Sequence, residues 1–238
     1  MKIAESLDRS PPRADAAWPW TLALLLLLLA WDASGLDLAL ARTMADGSGF
    51  ALRGSWTLEV LLHDWMRRVA FAAAIWLAVG TAWPTGVLRR LSRAARIQWL
   101  ASVLLGVAVI NLLKHTSHSS CPWDLAEFGG AATYVGHWAW GLADGGPGRC
   151  FPAGHASAGF AFAGGFFALR PVAPRLALAC LAIVATGGLV LGAAQQLRGA
   201  HFMSHTLWTA WLCWATASLV DGAGRLMAPP ARAGLALR

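Results

Sequence analysis

The chain has 238 residues, 57% of them hydrophobic and 13% charged, with a formal net charge of +7. A soluble domain of this length cannot hide so much apolar surface, so composition points to a bilayer as the solvent. The positive balance does not point to nucleic acid, because the basic residues sit in short groups beside apolar runs rather than interleaved with polar sequence.

Six stretches, at about 17–36, 65–83, 97–113, 153–169, 176–194 and 204–220, are apolar enough to predict membrane-spanning helices. The first holds "LALLLLLLAW", which also reads as a signal-peptide core. The small-residue triplet "ALA" at 39–41 lies beyond Asp32 and Asp37, too far from the Leu block for ordinary cleavage, so an uncleaved anchor is expected. Residues 37–64 read as two short amphipathic helices around a Gly-rich turn, and "RPVAPR" at 170–175 as a tight turn. Residues 114–152 gather much of the His, Cys and Gly. No internal repeat or second domain is visible, so residues 1–238 read as one all-α membrane domain: six transmembrane helices, with short amphipathic helices on one face.

Orientation follows from Lys and Arg. Lys2, Arg9, Arg13, Arg89, Arg90, Arg93, Arg96, Arg170, Arg175, Arg225, Arg232 and Arg238 fall on one side of a six-span chain, twelve of the 19 in all. The positive-inside rule puts that side, with both termini, in the cytoplasm. All 7 His residues then lie at or near the outer face, which in a bacterial inner membrane is the periplasm. Fourteen Trp against one Tyr fit the anchoring of helix ends at the interfaces. Cys180 and Cys213 lie within spans as small buried apolar residues. Cys121 and Cys150 both lie on the outer, oxidising side, where a disulfide between them is compatible with the compartment. Asp32 and Asp37 are read as surface partners of Arg42, and His63, Asp64 and His137 as interfacial residues.

Three polar stretches reach the same outer depth: "KHTSHSSCPWDL" from Lys114, "RCFPAGHASAGF" around His155, and "LRGAHFMSHTLW" around His201. Taken singly, a Lys at a span end snorkels and a His at a helix start is solvated. Together they can do chemistry. A Pro-Ala-Gly turn entering a helix presents backbone N–H groups of Ala153 and Gly154 at the positive end of the dipole, a seat for phosphate. Lys114, Arg198 and Arg149 supply positive charge for a phosphoryl group. Two histidines can divide the work, one attacking phosphorus and the other protonating the leaving oxygen.

The three stretches resemble the signature of the type 2 phosphatidic acid phosphatase superfamily of membrane lipid phosphatases: K-x6-R-P, P-S-G-H and S-R-x5-H-x3-D. Here they read Lys114 with Cys121-Pro122, then Pro152-Ala153-Gly154-His155, then Gln195 with His201 and His205. The resemblance covers about 60–220. It implies a six-helix bundle with its site at the outer leaflet, a phosphohistidine on His201 and a general acid at His155. No cofactor and no metal are implied. Four positions depart from the pattern. Cys121 and Gln195 stand where the family has Arg, Ala153 where it has Ser, and His205 where an Asp orients the nucleophile. Arg198, three residues on from Gln195, and Arg149, in the loop before His155, are candidate replacements for the two Arg. Asp124 or Glu127 is a candidate to replace the carboxylate.

The function expected is hydrolysis of a lipid phosphate monoester or diphosphate, with a phosphorylated membrane lipid as partner. Three alternatives stand beside it. One is a lipid phosphotransferase, and another is an inactive relative that binds lipid phosphates. The third is a metal site built from His115, His118, Cys121, His155, His201 and His205.

Overall fold

The structure, a computed structural model, describes residues 17–139 and 141–227. Lys2, Arg9, Arg13, Arg232 and Arg238, which contribute to the expected orientation, lie outside the described residues. Helices α1 (Ala17–Ala33) and α2 (Leu36–Met44) meet at Gly35 with a bend of 69°, which the positive φ of that glycine permits. The second expected amphipathic helix is a π-helical stretch, Thr57–Trp65, that runs directly into α3 (Met66–Gly80). Helix α4 (Arg93–Thr116) starts at Ser92, whose hydroxyl accepts the Ala95 N–H at 3.1 Å, the usual N-cap arrangement.

After the loop 117–153, residues 154–169 form one helical run broken into short pieces. A 3-10 turn at Gly154–Ala156 leads to α5 (Ser157–Phe160), and a second at Ala161–Ala163 leads to α6 (Gly164–Leu169). Gly154, Gly159, Gly164 and Gly165 weaken its helix propensity, yet they let it lie close to its neighbours. A Cβ on Gly159 would meet the backbone of Gly188 in helix α7 (Pro174–Leu197). Helix α8 (Met203–Met227) is central, with α1, α4, α6 and α7 packed around it. No strand occurs among the described residues.

The principal core joins Leu77, Trp99, Val103, Ile110, Phe160 and Cys213. A separate apolar cap, Ala41, Phe50, Leu125, Phe128, Ala132 and Phe202, covers the end of the bundle where the histidines lie. Leu24, Leu26, Leu104, Leu112, Leu178 and Ile183 point outward and are exposed, as expected of residues that face lipid.

Helices occupy all six of the stretches expected to span, but only α4 and α7 are individually long and apolar enough to cross a membrane. The count rises to three if the bent pair α1–α2 is one span. Helix α3 has only 15 residues, 154–169 is broken, and α8 carries His205, Asp221, Arg225 and a row of hydroxyls. The expected pairing of Asp32 and Asp37 with Arg42 does not occur. Arg42 instead meets Glu127, Nε to Oε1 at 2.5 Å and Nη2 to Oε2 at 3.2 Å.

Candidate active site

Three chain segments carry the site, and local chemistry fixes each one. Lys114 sits in the last turn of α4 and lays its stem over Gly154, where an added Cβ would be 3.7 Å from Lys114 Cδ. Gly154 and His155 open the helical run, with Ser157 Oγ donating to the Gly154 carbonyl at 2.6 Å. His201 lies between α7 and α8. The chain turns there through Gly199, which has φ 74° and no room for a Cβ because Phe50 occupies that space. Asp37 secures the start of α8 by accepting the Ser204 N–H at 3.0 Å and the Ser204 hydroxyl. That is an N-cap supplied from another helix, and it holds His205 one residue further on. The Ala153 N–H donates to the His205 carbonyl at 3.1 Å, and Thr209 Oγ1 donates to the Ala153 carbonyl at 3.1 Å. These two bonds join the second segment to the third.

The histidines form a row. His155 and His201 have ring centroids 6.4 Å apart, and both lie within the field of the Lys114 ammonium. His201 Nδ1 faces His205 Nδ1 at 3.4 Å and the Cys150 sulfur at 3.4 Å. His201 and His205 are 4% and 2% exposed. On the other flank His63 lies against His155 with centroids 3.8 Å apart, and Asp64 Oδ1 is 2.8 Å from His63 Nδ1. Burial, together with His205 and Lys114, holds the His201 pKa well below its ordinary value, so the ring is neutral and its lone pair free.

Several expected roles change. The Ala153 amide is not a phosphate donor, because it is already bonded to the His205 carbonyl and the residue is fully buried. Arg149 is exposed, and its backbone rather than its side chain is engaged, with its N–H donating to the Ser117 carbonyl at 2.9 Å. Arg198 is 7% exposed and acts on His155. It is held there by Glu59 Oε1 at 3.4 Å and by the Arg53 carbonyl, which accepts from its Nε at 3.0 Å. Neither Asp124 nor Glu127 takes the place of the missing carboxylate: Asp124 accepts from Trp123 Nε1 at 3.1 Å, and Glu127 is paired with Arg42.

Sequence reasoning missed the stretch 57–68. Glu59, His63 and Arg67 recur every four residues on one helical face. They bring an anchor for Arg198, a ring against His155 and a further positive charge acting on His155. That spacing was the available signal.

Cys121 and Cys150 are joined in a disulfide, with Cα atoms 5.2 Å apart. Among the described residues, the only clustered set of potential metal ligands is Cys121, Cys150 and His201, with ligand atoms within 4.8 Å of one another. Both sulfurs there are in the disulfide, which leaves one ligand. His115 and His118 are exposed and outside that set.

The buried neutral imidazole of His201, the His155 ring 6.4 Å away and the charge of Lys114 acting on both form an arrangement suited to phosphoryl transfer. A sequence model described as the PAP2 superfamily matches residues 96–221, more than half the chain. No curated protein and no solved structure matches. The matched segment contains Lys114, His155, His201 and His205, and the chain belongs to the PAP2 superfamily, a membership that supports phosphatase activity on phosphate esters.

Proposed function

We propose that this protein is a membrane phosphatase that hydrolyses a lipid phosphate monoester or diphosphate at the outer leaflet of a bacterial inner membrane. The observation that carries the reading is the 6.4 Å separation of the His155 and His201 rings, with the charge of Lys114 acting on both. A phosphoryl group fits between two such rings. Lys114, Arg198 and the Gly154 N–H would hold its oxygens, whose charge these groups stabilise as the bond to the leaving oxygen weakens.

His201 attacks phosphorus through Nε2, since Nδ1 faces His205 and the Cys150 sulfur. The P–O bond to the lipid breaks, and His155 gives its proton to the departing alkoxide or phosphate oxygen. Water then gives a proton back to His155 and attacks the phosphohistidine, releasing inorganic phosphate and the free His201 ring. Proton transfer is complete over the cycle without a metal. Because the chain ends beyond α1 and α8 are read as cytoplasmic, both lipid and water reach the site from the opposite face.

The test is turnover of purified full-length protein against a panel of lipid phosphates, with acid-labile phosphate trapped after rapid quenching. His201→Ala is expected to lose both turnover and trapped phosphate. His155→Ala is expected to slow turnover about 100-fold or more, the usual scale for a general acid. Wild-type rates in both variants across the panel would sink the assignment.

A further inference from the structure

The family pattern places a carboxylate beside the nucleophile, and His205 stands there without one. A neutral imidazole can accept the His201 Nδ1–H, as the 3.4 Å approach of the two Nδ1 atoms allows. It brings no negative charge, although His201 becomes cationic when phosphorylated. The charge lies further along the same row. His137 meets the His205 ring edge to face, with centroids 5.8 Å apart, and stacks flat on Phe151 at 4.2 Å. On its far side His137 Nε2 is 3.3 Å from Asp32 Oδ2, and that oxygen also accepts from Trp138 Nε1 at 2.9 Å and Trp208 Nε1 at 2.8 Å.

The Asp32 carboxylate is buried beside these rings. Its side chain is 6% exposed. Among the described residues its Oδ1 is buried without a hydrogen-bond partner, and no Lys or Arg forms an ion pair with it. A buried anion with no fixed cation acts strongly on nearby protonatable rings, because little solvent intervenes. The ring it meets directly is His137, which in turn meets His205 edge to face. Resting on the phosphatase reading above, we propose that Asp32 and His137 are positioning residues: acting through His205, they supply the negative charge that the nucleophile His201 lacks at its immediate neighbour. With His137 donating from Nε2 to Asp32 and His205 accepting at Nδ1, the row fixes the His201 proton on Nδ1 and leaves Nε2 free to attack. Helix α1 lies outside the matched segment 96–221, and on this inference it is part of the site.

The test compares Asp32→Asn, His137→Phe, His205→Asp and the double variant Asp32→Asn/His205→Asp in full-length detergent-purified protein, with His201→Ala as control. His137→Phe keeps the stack on Phe151 while removing both ring nitrogens, so it reports on the row even if Asp32→Asn folds poorly. Asp32→Asn and His137→Phe are each expected to lower kcat about 10- to 100-fold, the usual cost of losing an outer orienting partner, with KM little changed. In the His205→Asp background a carboxylate adjoins His201 directly, and Asp32→Asn is expected to cost little. An equal cost in both backgrounds means that Asp32 acts only by holding Trp138 and Trp208, and the proposal fails. It fails too if either single variant keeps wild-type kcat while His201→Ala is dead. Full activity in His201→Ala removes the phosphatase reading itself. An activity-independent check is the ¹⁵N spectrum of the His201 ring, expected to show a single Nδ1–H tautomer in wild type and a mixture in Asp32→Asn. An unchanged spectrum overturns the inference.

Discussion

Two of the site's histidines, His201 and His137, lie outside the helices that span, and the side chains of both are largely removed from solvent. For His201, burial, then His205 and then Lys114 push the pKa well below 6.5, while a main-chain hydrogen bond at Cys150 opposes them. For His137, burial lowers the pKa against the pull of Asp32. Both rings are therefore neutral when folded and take up a proton on unfolding below about pH 6.5. The unfolded chain binds more protons there, so the folded state is at full strength above that value and weakens as pH falls through it. The loss is at most about 1.4 kcal/mol per pH unit for each histidine. The thermal midpoint of the detergent-solubilised protein is expected to fall steadily from pH 6.5 to 5, and less steeply in His201→Gln. Parallel curves would mean that His201 is not a source of the slope. At this scale the sequence revealed Lys114, His155, His201 and His205, because their spacing is local and chemically specific. It did not reveal the partnership of Asp32 with His137, since 105 residues separate them and each alone looks like an interfacial residue.

Among the elements, α8 depends on a neighbour for its beginning. Its first turn is buried, and there Asp37 of α2 accepts the Ser204 N–H and hydroxyl. Asp37 is 8% exposed, and it also accepts from Trp31 Nε1 at 2.9 Å. Asp37→Ala is expected to cost about 1–2 kcal/mol, the upper range for an N-cap, read as a lowered thermal midpoint. The same change should reduce kcat, because His205 sits in the turn that the cap holds. A variant as stable and as active as wild type would show that water replaces the carboxylate there. The long helices α4 and α7 were legible from their apolar runs, and the turn at 170–175 from its two prolines. The division of 154–169 and the π-helical entry to α3 were not. Both arise where close packing or a side-chain contact, Gly159 against Gly188 and His63 against His155, overrides local propensity.

For the whole molecule, the decisive length is that of α4. Its 24 residues rise about 36 Å at 1.5 Å per residue, more than the roughly 30 Å of a hydrocarbon core, so its ends belong on opposite faces. One end is approached through Arg89, Arg90 and Arg93, and the other carries Lys114 beside the row of histidines. The disulfide between Cys121 and Cys150 lies at this second end, and disulfides persist on the oxidising side of a membrane. Charge and cysteine chemistry thus both support the proposed placement of the site on the outer face. The check uses single added cysteines at exposed positions near the two ends. Leu142 is 60% exposed in the loop that precedes His155, and Arg89 is exposed on the turn before α4. Leu142→Cys should react with a membrane-impermeant maleimide in intact cells, whereas Arg89→Cys should react only after the cells are permeabilised. The reverse pattern would turn the protein over in the membrane, leaving His201 to act on lipid phosphates of the cytoplasmic leaflet.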